Sequence, residues 1–219
     1  MNMARAISYV QEIRWLERNL GSPLPAPVFD YGASGGYFLD ALVSEGGVPA
    51  ASAFGDDLSP GAIEQLIKKG YRKTLSALEP KSMRLVTLRG VLEHVLDFRG
   101  VVESLTDLVA DDGFFFITAT PDASSTVANL YRDRWVQHHY PSHFQHFTSA
   151  LVDQLLAERG FVLVDHVDLY RDSVYRKDED DLAWLRAVHG VNEGSAHAYW
   201  GSMMTRLYRR EPSWAGVGQ

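Results

Sequence analysis

Three glycines within five residues follow an apolar run that ends in an acidic residue. The stretch reads Val28-Phe29-Asp30-Tyr31-Gly32-Ala33-Ser34-Gly35-Gly36, and an amphipathic segment begins at Tyr37. Glycine adopts backbone angles closed to other residues, and a glycine turn before a helix exposes N–H groups to a ligand. Asp30 could accept hydrogen bonds from an amine but would repel a phosphate. The pattern predicts a strand, a tight loop and a helix, unless the glycines serve only packing.

A second acidic residue, Asp57, lies 21 residues beyond Gly36, at the end of the next apolar segment. A carboxylate at the end of a second strand can bind both hydroxyls of a ribose. Its alternative role is to cap the helix that begins near Pro60, which Asp56 or Ser59 could also do. At this point a nicotinamide dinucleotide and an adenosine-containing sulfonium both fit the pattern.

Histidines are concentrated in one segment, where His138, His139, His143 and His146 stand among aromatic residues. Histidine titrates near neutral pH and could take a proton from an acceptor. His143 is the first candidate for this general base, and His94 is the second; structural roles are the alternative. Four imidazoles could also surround zinc, but no carboxylate stands among them at regular spacing. We therefore predict no metal site.

Strands and helices alternate along most of the chain. The predicted strands begin at Val28, Ala50, Tyr71, Met83, Phe114, Phe161 and Gly201, and helices are expected over 3–20, 37–44, 60–70, 98–109, 149–159 and 182–189. This alternation predicts an α/β fold with an open, doubly wound, mostly parallel sheet, whose ligands bind beyond the carboxyl ends of the strands. The polar strand ends at Asp30, Asp57 and Arg89-Gly90 predict a cleft.

Composition narrows the class of protein. The 219 residues, 46% of them hydrophobic, suit a single domain over 1–219. The absence of cysteine excludes disulfides, thiolate metal sites and a cysteine nucleophile. A net charge of −7 disfavours a nucleic-acid partner. No run approaches the roughly 20 apolar residues of a membrane span, so a cytoplasmic protein without a membrane partner is expected, with its oligomeric state open.

Four motifs in order resemble those of class I S-adenosylmethionine-dependent methyltransferases of the small bacterial group that modifies small molecules and sugars. They are Asp30–Gly36, Gly55–Pro60, Val91–Val95 with Leu108–Gly113, and His143–Thr148 with Leu155–Phe161. The resemblance covers roughly residues 25–170. It implies a Rossmann-like sheet of seven strands with an antiparallel last strand, and S-adenosyl-L-methionine as cofactor.

The resemblance also implies roles for residues of this chain. Asp30 and the loop with Gly32, Ser34 and Gly36 would face the methionine part, and Asp57 would hold the ribose. Leu58 and Ser76-Ala77-Leu78 would enclose the adenine, and the backbone of Arg89 and Gly90 would reach the methionyl amine. Two departures stand out: Ser34 replaces the usual second glycine, and no acidic residue follows strand three to bind the adenine amino group.

The predicted reaction is in-line methyl transfer to a small-molecule acceptor, with a hydroxyl of a sugar or natural-product intermediate preferred. Such an enzyme aligns the nucleophile with the carbon–sulfur bond and excludes water. Acceptor specificity is expected in the N-terminal helix over 1–21, which could act as a lid, and in the segments 122–148 and 171–200.

Three other classes of protein share some of these sequence features. The Gly32-x-Ser34-x-Gly36 spacing fits the nucleophile elbow of serine hydrolases, although that elbow normally follows several strands. A nicotinamide-dependent oxidoreductase would need a G-x-G-x-x-G spacing that these glycines miss. A non-catalytic module that retains the fold and the S-adenosylmethionine site is the remaining alternative.

Overall fold

The computed structural model describes residues 3–167 and 202–212, with residues 179, 186, 189 and 190 between them. The helices are α1 (Met3–Leu20), α2 (Tyr37–Ser44), α3 (Pro60–Lys69), α4 (Phe98–Leu108), α5 (Thr126–Tyr131) and α6 (Ser149–Ala157). The strands are β1 (Val28–Tyr31), β2 (Ala53–Asp56), β3 (Met83–Arg89), β4 (Val109–Pro121), β5 (Phe161–Val167) and β6 (Met203–Arg210). Strands and helices alternate up to β5, as the hydrophobic pattern predicted.

The strands form one sheet in the order β2-β1-β3-β4-β6-β5. Strands β1 to β4 pair in parallel, whereas β6 is antiparallel to both β4 and β5. This is the predicted Rossmann-like arrangement with an antiparallel last strand. The predicted number of seven strands is wrong for the described residues, which form six. The segment expected as a strand at 71–75 makes a single parallel bridge, Gly55 to Arg72, beside β2.

Helices cover both faces of the sheet. On one face α1, α2 and α3 bury Ile13, Leu39 and Leu66 against the strands, and on the other face α4 and α6 bury Leu105 and Leu156. The strands are therefore enclosed on both sides, which explains their nearly continuous apolar runs. This double cover leaves the carboxyl ends of β1, β2 and β3 as the place where polar residues can meet.

Helix α1 is part of the core. Ile13 and Leu16 are fully buried, and Trp15 stacks at 5.9 Å from Phe116 of β4. Glu12 is also buried and accepts two hydrogen bonds from the Arg89 guanidinium, at 2.9 and 3.0 Å. A lid made of the whole helix would have to expose these groups to water, which argues against a lid that consists of all of α1.

Some predicted boundaries differ from the observed ones. The strand predicted to begin at Phe114 begins at Val109 instead, as the 13-residue β4. The segment 171–200 and the helix predicted at 182–189 lie outside the described residues, apart from single positions. Among the described helices, no helix combines the length and apolar character that a membrane span requires.

Candidate functional site

A cavity of 220 Å³ opens at the carboxyl ends of the parallel strands. It is lined by Tyr31 and Gly32 after β1, Asp57 and Leu58 after β2, and Gly90, Val91, His94 and Val95 after β3. Four predicted cofactor-binding residues and one candidate base therefore line the same cavity. The sheet topology joins them, because the ends of adjacent parallel strands lie at the same edge.

The loop after β1 has the backbone conformation that its glycines predict. Gly32 has φ +73°, and a Cβ atom there would lie 2.5 Å from Cγ2 of Val91. Gly36, at the start of α2, has φ +71°. Ser34 also takes a positive φ, of 50°, so the serine that replaces a glycine sits in a conformation that costs free energy.

Asp57 fixes the loop to the end of β2. Its Oδ2 accepts a hydrogen bond of 2.8 Å from the Ser34 N–H, and its Oδ1 accepts one of 2.8 Å from the Ser59 N–H. Each carboxylate oxygen can accept more than one hydrogen bond. Both oxygens of Asp57 therefore keep capacity to accept a further hydrogen bond, and Asp57 is one of the residues that line the cavity.

Asp56 has a different role, which the sequence analysis missed. Its carboxylate forms an ion pair with Arg72 and accepts a 2.9 Å hydrogen bond from the Leu75 N–H. It thereby holds the segment after α3 against the end of β2. The β-bridge between Gly55 and Arg72 places Arg72 beside Asp56 and so explains the ion pair. No local spacing in the sequence predicts this contact.

Asp30 lies in β1 and is buried rather than on the cavity wall. The Thr87 hydroxyl of β3 donates a 2.5 Å hydrogen bond to its Oδ1. Burial raises the pKa of Asp30 to about 7, although the Thr87 hydrogen bond and the charge of Arg89 act in the opposite direction. The carboxyl group is therefore close to its titration midpoint at neutral pH.

Of the remaining residues predicted to bind the cofactor, some lie at the cavity and others do not. Gly90, with φ +61°, lies on the cavity wall, whereas the Arg89 side chain points to α1. Leu58 is 88% exposed at the cavity rim. Ser76 and Ala77 are exposed after Leu75, but Leu78 belongs to the core cluster that contains Phe29 and Met83.

The two candidate bases are in contact. The ring centroids of His94 and His143 are 4.8 Å apart in an edge-to-face arrangement. His94 Nδ1 lies 2.8 Å from the Ser142 carbonyl, and His143 Nδ1 lies 2.7 Å from the Gln137 carbonyl. A carbonyl oxygen only accepts, so both Nδ1 atoms carry a proton, and in the neutral form of each ring the lone pair is on Nε2. His94 is exposed, whereas burial lowers the pKa of His143.

Glu93 stands beside these histidines, and the sequence analysis gave it no role. It is 3% exposed, and its Oε2 has no hydrogen-bond partner among the described residues. Burial raises the pKa of this carboxyl group. Glu93, His94 and His143 each offer one ligand atom, and the three atoms lie within 4.8 Å of one another. The fold creates this group, because His143 is 49 residues from His94 in the chain.

The other histidines form a second group. His138 Nδ1 lies 3.2 Å from His146 Nε2, and the Trp135 ring packs against both imidazoles. These three residues line a larger cavity of 390 Å³ together with Ala123, Ala128, Asn129 and Arg132. The indole N–H of Trp135 is buried and has no hydrogen-bond partner in the described part of the chain.

Comparison with known families gives one match to most of the chain. A family model described as a methyltransferase domain matches residues 3–166. This range contains the glycine loop, Asp57, Gly90 and both histidine groups.

A ubiquinone biosynthesis O-methyltransferase of Nitrosomonas europaea is 32% identical over 124 residues, which are 51% of this chain and 48% of that protein. The chain thus spans about half the length of this curated relative.

Two solved structures share the fold. One is magnesium protoporphyrin IX methyltransferase of Synechocystis, with S-adenosylhomocysteine bound. It is 14% identical, with a TM-score of 0.61, and the aligned residues cover 95% of this chain and 84% of that chain. The 1,6-didemethyltoxoflavin-N1-methyltransferase of Burkholderia thailandensis has a TM-score of 0.59 at 16% identity and covers 95% and 79%.

Proposed function

The chain belongs to the family of methyltransferase domains, and on that premise we propose that it methylates a hydroxyl of a small organic molecule. Family membership confirms the recognition, the enzyme class and the cofactor S-adenosyl-L-methionine that the motifs predicted. The identity of the acceptor and the role of each site residue are proposed here, because the curated relative is matched over only about half its length.

The observation that carries the proposal is the placement of Asp57. Its carboxylate is held by two backbone N–H groups at a cavity that Gly32 and Gly90 also line. An adenosyl group fits this arrangement, with Asp57 at the ribose and exposed Leu58 against the adenine. The glycine backbone and Gly90 would hold the methionine part, while Asp30 lies behind the loop within the sheet.

When bound, S-adenosyl-L-methionine supplies an electrophilic methyl group, so the protein has to position the acceptor and take its proton. His94 is the better candidate base than His143, because it is exposed on the cavity wall. Its Nδ1–H is held by the Ser142 carbonyl, which directs the Nε2 lone pair to be the proton acceptor. His143 packs against it from behind and orients the ring.

The acceptor would enter from the side of residues 122–148. The 390 Å³ cavity there combines the flat Trp135 ring with the polar groups of Asn129, Arg132 and His138. Such a lining suits a ring compound with several polar substituents, such as a sugar or an aromatic natural-product intermediate. The O-methyltransferase relative supports oxygen as the acceptor atom.

A serine hydrolase based on Ser34 finds no support. In the described part of the chain, the Ser34 N–H donates to Asp57, and its hydroxyl makes no hydrogen bond to a histidine. The nucleophile–base contact that such an enzyme requires is missing.

Calorimetry with S-adenosylmethionine and S-adenosylhomocysteine tests the cofactor site. We expect the wild type to bind both, and Asp57→Ala to lose about 100-fold in affinity, or about 2.7 kcal/mol, since two hydrogen bonds to the ribose disappear. Glu64→Gln, an exposed change on α3, is the control. Equal affinities of the Asp57→Ala variant and the wild type would remove the ribose assignment.

Transfer of a labelled methyl group to a panel of sugars, phenols and amines tests the acceptor class. Label in the hydroxyl compounds is the expected result. Label confined to the amines would overturn the choice of oxygen and leave the methyltransferase class intact.

A further inference from the structure

We propose that Glu93, His94 and His143 form a binding site for a divalent transition-metal ion at the wall of the cofactor cavity. One carboxylate and two imidazoles converge there, with their ligand atoms within 4.8 Å of one another. The sequence predicted no metal site because no carboxylate stands among the histidines of 138–146. The carboxylate comes instead from the segment after β3.

The histidine tautomers suit metal binding. Metal-ligating histidines usually donate their other ring N–H to a carbonyl or carboxylate, which fixes the ring and raises its basicity. His94 and His143 both have this partner, the carbonyls of Ser142 and Gln137. Each ring therefore presents Nε2 as its ligand atom.

The carboxylate supplies an independent argument. Glu93 is 3% exposed, and its Oε2 has no hydrogen-bond partner within the described residues. A buried carboxylate oxygen without a partner is costly. A cation between Glu93 and the two imidazoles would satisfy it.

The ligand set indicates the kind of ion. Two imidazoles and a carboxylate suit zinc and other first-row transition ions, whereas magnesium and calcium prefer oxygen ligands. Zinc bonds of about 2.0–2.2 Å place tetrahedral ligand atoms about 3.4 Å apart. Small side-chain rotations would close the present cluster to that distance, since His94 is exposed.

The site is next to the reaction centre of the proposed function. His94 and Gly90 both line the cofactor cavity, and Glu93 Oε1 lies 3.7 Å from the position that a Cβ atom on Gly90 would take. With three protein ligands, a coordination position remains for an acceptor oxygen. The acceptor hydroxyl would bind the cation and lose its proton to solvent. Its oxygen–carbon bond would form as the sulfur–carbon bond breaks, and the sulfur would leave as a neutral thioether.

This catalytic consequence rests on the proposed function, whereas metal binding does not. His94 acts as a ligand when the ion is present, and it is the base only if the site stays without metal. The two roles of His94 are therefore separable by experiment.

The test uses the full chain after dialysis against a chelator. Titration with Zn²⁺ in the calorimeter should show one ion per chain, and Co²⁺ should give the visible absorption of a low-symmetry nitrogen and oxygen site. Glu93→Gln, His94→Asn and His143→Asn should each weaken Zn²⁺ binding about tenfold or more. His166→Asn, at an exposed position on β5, and His138→Asn, in the other histidine pair, should bind as the wild type does.

Absence of binding by the wild type, or unchanged binding by the three cluster variants, overturns the site. The site is also overturned if His138→Asn is the variant that loses Zn²⁺ binding, since the ion then binds at the pair His138 and His146. Because Glu93 and His143 are buried, circular dichroism and urea denaturation without metal serve as the check of folding, and exposed His94→Asn carries the test if the other variants fail it.

Methyl transfer should fall about tenfold after chelation and return with Zn²⁺. Transfer that is unaffected by chelation overturns the catalytic role of the ion and leaves His94 as the base. Failure to bind S-adenosylmethionine would overturn the proposed function while the metal titration stands.

Discussion

The proposed cofactor side and the proposed acceptor side of the molecule are held together in different ways. The cofactor side, residues 28–36 and 53–59, consists of strand ends whose loops are set by glycine conformation and by Asp57. The acceptor side, residues 122–148, has two short turns of 3₁₀ helix, a helix of six residues and long irregular stretches. In the first region, glycine conformation, strand pairing and the Ser34–Asp57 hydrogen bond set the loops, whereas hydrogen bonds to a segment about 50 residues away hold the second.

Several hydrogen bonds of the proposed acceptor side go to one short segment, and another joins the Asp122 N–H to the Ser202 carbonyl beside β6. The Phe144 N–H donates to the Glu93 carbonyl at 2.8 Å, and the Gln145 amide donates to the Leu96 carbonyl at 3.1 Å. His94 donates to the Ser142 carbonyl. Residues 93–96 thus join the proposed acceptor side to the sheet, shortly after Gly90, which lines the cofactor cavity of the proposal.

This difference indicates which residues can change acceptor specificity without changing cofactor binding. A substitution within 122–148 that keeps the contacts to 93–96 should alter the acceptor cavity and leave cofactor binding intact. Substitutions in the glycine loop or the strand ends should affect cofactor binding and stability together. The predictions below test this division, beginning with the largest expected effect.

Asp30→Asn should change the pH dependence of stability in the cofactor-free protein. The pKa of Asp30 is about 7 in the folded chain because of burial, so the folded state holds its proton more tightly than the unfolded chain. The corresponding stability is fully present below about pH 4 and is lost as the pH rises through about 7. Relative to wild type, the variant should gain up to roughly 4 kcal/mol between about pH 4 and about pH 8.

Urea denaturation of both proteins across this range measures the difference, with Glu64→Gln as a matched loss of one exposed carboxylate. The groups that face Asp30 are Thr87 and Arg89, which lower its pKa, and Glu12 and Asp57, which raise it. Parallel pH profiles of the Asp30→Asn variant and the wild type would contradict the prediction.

Gly32→Ala should destabilise the protein by about 1–3 kcal/mol and weaken S-adenosylmethionine binding. The new methyl group would meet Val91 Cγ2 at 2.5 Å, and the backbone there has φ +73°. Gly61→Ala is the control, since nothing lies within 4 Å of its added Cβ in α3. That substitution should be neutral or stabilise by up to about 1 kcal/mol. Equal losses in the two variants would show that the loop conformation is not the cause.

Thr148→Ala should have the smallest effect, about 1 kcal/mol of unfolding free energy. The Thr148 hydroxyl accepts a 3.1 Å hydrogen bond from the Leu151 N–H and so caps α6. Because Thr148 belongs to the acceptor side, S-adenosylmethionine affinity should stay unchanged, and Thr148→Ser should restore stability. A parallel loss of cofactor affinity in calorimetry would break the division between the two sides.

The alternation of apolar runs and the turn glycines depend on residues that are close in the chain, so sequence spacing predicts the strands, the helices and the loop after β1. The hydrogen bond between Asp57 and Ser34 joins residues 23 positions apart, and the parallel sheet brings them together. The strand count failed at 71–75 because that segment has a single bridge to Gly55, held by the Asp56–Arg72 ion pair. No local pattern distinguishes this bridge from a short strand.

The contacts of residues 122–148 and the grouping of the histidines follow from the tertiary structure. Sequence spacing grouped His143 with His138 and His146, whereas the fold packs His143 against His94 and Glu93 and pairs His138 with His146. It also put Leu78 into the core, away from the predicted adenine site. The physical reason is that these placements depend on backbone hydrogen bonds and burial between segments about 50 residues apart. Such contacts form when the chain is folded, and local residue spacing does not encode them.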